Sequence, residues 1–257
     1  MELELQEMRI LVTGGSAGIG AAGAELLRGE GATVAIASRA PQEAAERLGV
    51  AAVAADLATG EGCSTAVAQA AELMGGLDAV VNNVGDAQIG SFEDVSDDRW
   101  QHVWDLNVMS YVRVIRAALP LLRESQKASI VNVASTSGKR PSPSMPEYSV
   151  TKAAVLSLSR LVADVHAGDG IRCNAVCPGP TLTGAWLDIG GLADQSAADS
   201  DRSREEVLGA VGRGRPLGRM AEPAEIAAVI AFLCSPRSSY VTGAAWGVDG
   251  GTVPVII

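Results

Sequence analysis

Arg9-Ile-Leu-Val-Thr13 running into Gly14-Gly-Ser16-Ala-Gly18-Ile19-Gly20 is the stretch whose reading decides the fold. The first part is a short apolar run and the second a glycine-rich turn, and Ala24, Leu26 and Leu27 carry the chain on in a helical pattern. Strand, glycine turn and helix in that order suit a nucleotide. Glycines let the backbone approach a pyrophosphate with no Cβ in the way, and the helix N-terminus offers free N–H groups at its positive end. The spacing is G-x-x-x-G-x-G, distinct from the G-x-G-x-x-G of other dinucleotide folds. A glycine turn also serves as plain strand-to-helix punctuation, so the rest of the chain has to carry the argument.

Working outward, the same alternation repeats. Gly31 to Arg39 reads as a second buried strand ending on Ser38 and Arg39, with a helix from about Pro41, and Val50 to Leu57 as a third run ending at Asp56. Thr59 to Met74 is an alanine-rich helix and Leu77 to Gly85 a strand opening into a polar loop. Asp97 to Arg123 suggests one long helix bent or ended by Pro120, with Asn107 inside its apolar stretch, where it is either exposed or in need of partners. Ala128 to Val133, Ile171 to Cys177 and a short piece within Tyr240 to Gly251 complete the strands, and Pro223 to Cys234 is a final helix. Strands and helices alternating over short connections predict a parallel sheet covered on both faces, in one domain over 1–257. The segment of about 184–216 is weakly patterned and long, which predicts a lid or mobile loop.

Composition narrows the function. Acidic residues outnumber basic ones 30 to 20 for a formal charge of −10, and no Lys/Arg-rich run occurs, so nothing invites nucleic acid or an anionic membrane. Cys63, Cys173, Cys177 and Cys234, with only His102 and His166 beside them, have no zinc-type spacing, and no metal is expected. The acidic start Met1 to Glu7 has the wrong charge for a signal peptide, and no apolar run nears the ~20 residues of a membrane span. The expectation is a cytoplasmic protein.

The chemistry centres on Tyr148-Ser149-Val150-Thr151-Lys152. From Tyr148 to His166, Val150, Ala153, Ala154, Leu158, Leu161, Val162 and Val165 recur at helical spacing, so Tyr148 and Lys152 project from one flank of a helix. An ammonium beside a phenol favours phenolate and lowers a pKa that starts near ~10, which suits proton transfer. Ser135, at the exit of the Ala128–Val133 run, is placed to donate to the same substrate oxygen. The plain reading of the pair is a surface i, i+4 contact worth ~0.2–0.5 kcal/mol.

Taken together, Thr13-Gly14-x-x-x-Gly18-Ile19-Gly20, Asp56-Leu57, Asn82-Asn83-Val84-Gly85, Asn107, Ser135, Tyr148-x-x-x-Lys152, Pro178-Gly179 with Thr183, and Asp249-Gly-Gly251 resemble the short-chain dehydrogenase/reductase family, in its order and over nearly the full length. The resemblance implies a single-domain Rossmann fold with a doubly wound seven-stranded parallel sheet, NAD(P) as cofactor, and reversible hydride transfer between alcohol and carbonyl. It makes Tyr148 the acid/base, Lys152 the residue that lowers its pKa and holds the nicotinamide ribose, Ser135 the group that polarises the substrate oxygen, and Asn107 the holder of a relay water. Gly14, Ser16, Gly18, Ile19 and Gly20 then form the pyrophosphate turn, Asp56 and Leu57 adenine contacts, Asn83 and Gly85 ribose contacts, and Pro178, Gly179, Thr181 and Thr183 the nicotinamide and phosphate side. Val84 departs from the family's usual alanine. Ser137 rivals Ser135 as the catalytic serine, but the thirteen-residue spacing to Tyr148 favours Ser135 and leaves Ser137 in the pocket.

Ser38 stands where an acidic residue would select NAD, and Arg39 follows it, so NADP(H) is favoured with NAD(H) possible; Ala17 leaves the turn without a further basic residue. Met145 and Trp186, with Asp86, Gln88, Lys139 and Leu187, are the candidate pocket for a small carbonyl or alcohol substrate. A 3-oxoacyl-carrier-protein reductase and a catalytically silent NAD(P)-binding regulator are the alternatives. The family also implies a homo-oligomer, dimer or tetramer, through the last helices, although packing within the domain explains the apolar Pro223–Cys234 pattern equally well.

Overall fold

The computed structural model describes residues 2–254. Seven parallel strands form one sheet in the order β3-β2-β1-β4-β5-β6-β7: β1 Arg9–Thr13, β2 Thr33–Ser38, β3 Ala51–Ala54, β4 Ala79–Asn82, β5 Ser129–Val133, β6 Arg172–Pro178 and β7 Ala245–Val248. Period-two alternation builds both faces. On β1, Ile10 and Val12 enter one apolar layer and Leu11 the other; on β4, Ala79 and Val81 enter the first and Val80 the second. The first layer is closed by α1 (Gly18–Gly29), α2 (Gln42–Leu48) and α10 (Pro223–Cys234), and the second by α3 (Gly60–Met74), α5 (Ser110–Leu122) and α6 (Pro146–His166). The chain winds outward from β1 to β3 and then returns to place β4 on the other flank of β1. That reversal opens a crevice at the C-terminal ends of β1 and β4, where doubly wound folds bind ligands.

Several expectations change on inspection. The long helix is α4 (Asp97–Trp104), a π-turn over Asp105–Met109 and then α5. Asn107, in the π-turn, is fully buried. Pro120 lies inside the last turn of α5 on the solvent face, where a freed carbonyl can bond water, and does not end the helix. The 184–216 segment is ordered into α7 (Gly184–Leu187), α8 (Leu192–Ala198) and α9 (Arg204–Arg213), because a Ser203/Glu206 capping box starts α9 and Arg204 pairs with Asp194. On α6 the buried face carries Glu147, Ser149, Thr151, Lys152, Val155 and Ser159, while Val150, Leu161 and Val165 are exposed. The apolar repeat read from the sequence therefore marks an outer stripe as much as a core face. Helix α10 packs on α1 within the chain, burying Ile226, Ile230 and Leu233. All four cysteines are free and buried, and no described helix is long and apolar enough to cross a membrane.

Candidate active site

The glycine turn is held shut by side chains that sequence reasoning had assigned elsewhere. Asn83 donates its Nδ2 to the carbonyls of Thr13 (3.2 Å) and Gly14 (3.0 Å), and its backbone N–H donates to Thr13 Oγ1 (3.0 Å). The expected ribose contact is thus a strut for the turn, with its amide donors already committed. Gly14 has φ +63, and a Cβ there would lie 2.9 Å from Val84 Cα; a Cβ on Gly20 would collide with the Gly14 carbonyl. The backbone can only pass this closely because both residues are glycine. Helix α1 begins at Gly18 behind Ala17, which provides no side-chain cap, so its first N–H groups stay free for an anion. That uncapped end above a glycine cradle fits the pyrophosphate of a dinucleotide.

A cavity of about 420 Å³ opens from this turn. Gly14, Gly18, Ile19, Asn83, Gly85, Pro178, Gly179, Thr181 and Thr183 line it from the expected cofactor side, and Ser135, Ser137, Met145, Tyr148, Lys152 and Trp186 from the other. Thr183 closes over Gly18, where an added Cβ would come within 3.2 Å of its methyl group. Ser16, in the turn, and Gly20, in the first turn of α1, lie outside the cavity lining. Ser38 and Arg39 lie at the end of β2: Ser38 Oγ is buried with no hydrogen-bond partner among the described residues, and Arg39 is exposed. Asp56, exposed just after β3, accepts the Ala58 N–H through Oδ1 (3.1 Å), and the Leu57 side chain is packed in the core.

Of the wider pocket candidates, Asp86 lines the cavity, but Gln88 and Leu187 do not. Lys139 turns away to the carbonyl of Ala245 (2.7 Å), because β7 runs beside its loop and offers an acceptor.

Lys152 is 3% exposed, which excludes a solvated surface pair. Its Nζ donates to the Val133 carbonyl (2.8 Å) and the Tyr111 hydroxyl (3.5 Å), and sits 5.7 Å from the Tyr148 ring centroid. Burial pulls the ammonium down from an ordinary 10.5 to about 7. The Tyr148 phenol is pushed upward by burial and drawn partly back by the nearby Ser135 hydroxyl. Without a ligand, then, the phenol sits above its ordinary value, and Lys152 does not offset its desolvation. Ser135 Oγ accepts from the Ser137 N–H (3.1 Å). Gly138 lets this turn lie against α6, since a Cβ there would come 2.7 Å from the Lys152 backbone. Asn107 accepts from the Asp86 N–H (2.9 Å) and donates to the Asp86 carbonyl (3.0 Å) and Thr151 Oγ1 (3.2 Å). Both amide hydrogens and one lone pair of its Oδ1 are thus committed to protein.

Three contributors went unseen in the sequence. Tyr111 bonds Val133 O (3.0 Å) and helps fix Lys152, but it read as one more apolar helix residue. Arg99 reaches Asp86 (2.6 Å) and the buried Glu147 (3.4 Å), a pairing across three elements that no local spacing announces. Gln195 of α8 accepts from the Ile89 N–H (2.8 Å), tying the 184–216 segment to the loop after β4.

Comparison with known proteins gives the family of the chain. Residues 14–253 match a family model described as enoyl-(acyl carrier protein) reductase. The chain is 35% identical over 261 residues to the uncharacterized oxidoreductase YvrD of Bacillus subtilis strain 168, covering 98% of this chain and 99% of that one. It is equally 35% identical over 264 residues to 2-(S)-hydroxypropyl-CoM dehydrogenase 3 of Xanthobacter autotrophicus, covering 99% and 100%. Among solved structures, L-sorbose reductase from Gluconobacter frateurii complexed with NADPH and L-sorbose superposes over 100% of both chains with a TM-score of 0.91 at 33% identity. A family match over nearly the whole length, full-length relatives and a shared seven-stranded architecture establish that the chain belongs to the short-chain dehydrogenase/reductase family of oxidoreductases.

Proposed function

We propose that this oxidoreductase interconverts a carbonyl and a secondary alcohol, using NADP(H) in preference to NAD(H), with Tyr148 as the acid/base. The observation that carries the reading is the convergence of Tyr148, Ser135 and Lys152 on the cavity that begins at the glycine turn. Bound NADP(H) supplies or accepts the hydride. In the reducing direction Tyr148 gives its hydroxyl proton to the substrate oxygen, and the Ser135 hydroxyl donates a hydrogen bond to the same oxygen as charge develops there. A phenol held above its ordinary value stays protonated at neutral pH, as a general acid must. Lys152, anchored through Val133 and Tyr111 and drawn down by burial to about 7, stands beneath the Tyr148 ring, where its ammonium form favours the phenolate. Asn107 clamps Asp86 and Thr151, which joins the loop after β4 to the tyrosine helix and holds the proton route in shape. Ser137, Met145 and Trp186 bound the substrate side.

Ser38 and Arg39 support NADP(H). A serine in place of a carboxylate removes repulsion of a 2′-phosphate, its buried hydroxyl is unspent, and Arg39 makes no ion pair among the described residues. The NADPH complex of L-sorbose reductase is consistent with this preference. A 3-oxoacyl-carrier-protein reductase is the second reading, favoured by the description of the family model. A silent cofactor-binding role sits badly with a full set of four catalytic side chains. We also assign a cytoplasmic homo-oligomer, on the strength of the unpaired buried thiols and the exposed Val150, Leu161 and Val165 stripe of α6.

The test is NADPH oxidation by the purified protein against ketones, aldehydes, sugars and acyl thioesters, with NADPH and NADH compared by kcat/KM in the parent and in Ser38→Asp/Arg39→Ala. Turnover with NADPH ahead of NADH, and a ratio that falls in the double variant, are expected. No turnover with any carbonyl, or a parent that favours NADH, contradicts the proposal.

A further inference from the structure

We infer that Asp86 determines substrate choice, and that its carboxylate, oriented by Arg99, selects uncharged carbonyl substrates bearing hydroxyl groups over anionic ones. The inference rests on the carbonyl chemistry proposed above.

Asp86 is a cavity-lining residue whose backbone cannot shift freely, since its N–H and its carbonyl are both bonded to the Asn107 side chain at 2.9 and 3.0 Å. Its carboxylate is fixed at the other end. Oδ2 accepts from Arg99 Nη1 at 2.6 Å, with His102 Nε2 3.8 Å away, while Oδ1 has no donor among the described residues. The side chain is 34% exposed, so that oxygen is open to a ligand. Arg99 is positioned in turn by Glu147, which is 1% exposed and immediately precedes Tyr148. A free acceptor is therefore locked to the same helix that carries the proton donor.

Charge decides what that acceptor can receive. The charged residues lining the cavity are Asp86, Asp188 and Lys152. Lys152 is occupied behind the reacting centre by Val133 and Tyr111. The single cation of Arg99 is shared between two carboxylates, Asp86 and Glu147, and Asp188 makes no ion pair among the described residues. A phosphate, carboxylate or acyl-carrier phosphopantetheine entering here would be stripped of water and given no compensating cation. A hydroxyl beside the reacting carbonyl instead finds a charge-assisted acceptor in Oδ1. Because Arg99 already balances much of its charge, Asp86 acts as a directional acceptor and not as a site for a cation.

The experiment compares kcat/KM, with NADPH, for neutral hydroxyketones of three to six carbons, for their phosphomonoesters and for acetoacetyl-CoA, in the parent, Asp86→Asn and Asp86→Ser. Binding of the same neutral and phosphorylated pairs to the protein saturated with NADP⁺ is measured by calorimetry. The neutral-to-anionic ratio should exceed 100 in the parent and fall at least tenfold in both variants, with melting temperature and NADPH affinity as controls on folding. An anionic partner used or bound as well as its neutral counterpart, or a ratio unmoved by either substitution, overturns the inference. An absence of turnover across the panel counts against the proposed function alone, because the calorimetric ratio still decides the role of Asp86.

Discussion

Lys152→Met should make the folded protein more stable at neutral and acidic pH while abolishing useful turnover. The lysine is 3% exposed and its ammonium is pulled by burial from 10.5 to about 7. In the folded state it therefore binds fewer protons than in the unfolded chain between those two values, and stability rises with pH across that window. At about 1.4 kcal/mol per pKa unit, the penalty of the buried charge is about 5 kcal/mol at pH 6, about 2 at pH 9 and below about 1 at pH 10. Methionine removes that penalty but also leaves the Val133 carbonyl without its donor, which costs about 1–3 kcal/mol. The net gain at pH 6 is then about 2–4 kcal/mol, or roughly 4–16 °C in melting temperature for a chain of this size. The assay is thermal and urea unfolding of parent and variant at pH 6, 8 and 10. The gap should be largest at pH 6 and vanish or reverse by pH 10. A variant less stable at every pH, or a gap that does not change between pH 6 and 9, refutes the claim that this ammonium is carried at a cost.

Arg99→Met leaves the buried Glu147 carboxylate without its cation and should cost about 3–5 kcal/mol, whereas Arg99→Met/Glu147→Met should recover most of it. Simple additivity of the two single changes in urea unfolding contradicts the pairing. Gln195→Leu removes the acceptor for the Ile89 N–H, so segment 184–216 should be cut several-fold faster by a non-specific protease and KM should rise more than kcat falls. In the parent, NADP(H) should slow that cutting. Equal rates with and without cofactor count against a ligand-coupled lid.

The sheet and the glycine turn were legible because their signals are local. A buried parallel strand is a run of apolar residues, a pyrophosphate turn needs glycine at set positions, and both can be read within a dozen residues of Arg9. Tyr148, Lys152 and Ser135 stood out as candidates for the same reason, through spacing along one helix and one strand exit, whereas a role for Asn107 came only with the family resemblance. The strut role of Asn83 was not legible, because its amide serves the backbone of a strand far away in sequence, a partner only the fold supplies. The inward face of α6 was equally hidden. The first turns of this helix, with Glu147, Thr151 and Lys152 buried, invert the usual apolar rule because the cavity opens beside them, while Val155, Val162 and Ala163 further along join the core. The ordering of 184–216 rests on Asp194, Gln195 and Arg204, whose contacts cross between helices, although the Ser203-x-x-Glu206 box was a local cue that went unused.

The central claim is that Tyr148 moves the proton. Tyr148→Phe keeps the ring over Lys152 and the packing of α6 but removes the transferable hydrogen. Single-turnover oxidation of bound NADPH, measured alongside the NADPH dissociation constant in the same preparation, should slow by at least ~10²–10⁴ with the dissociation constant changed less than about threefold. A single-turnover rate within tenfold of the parent would contradict the account.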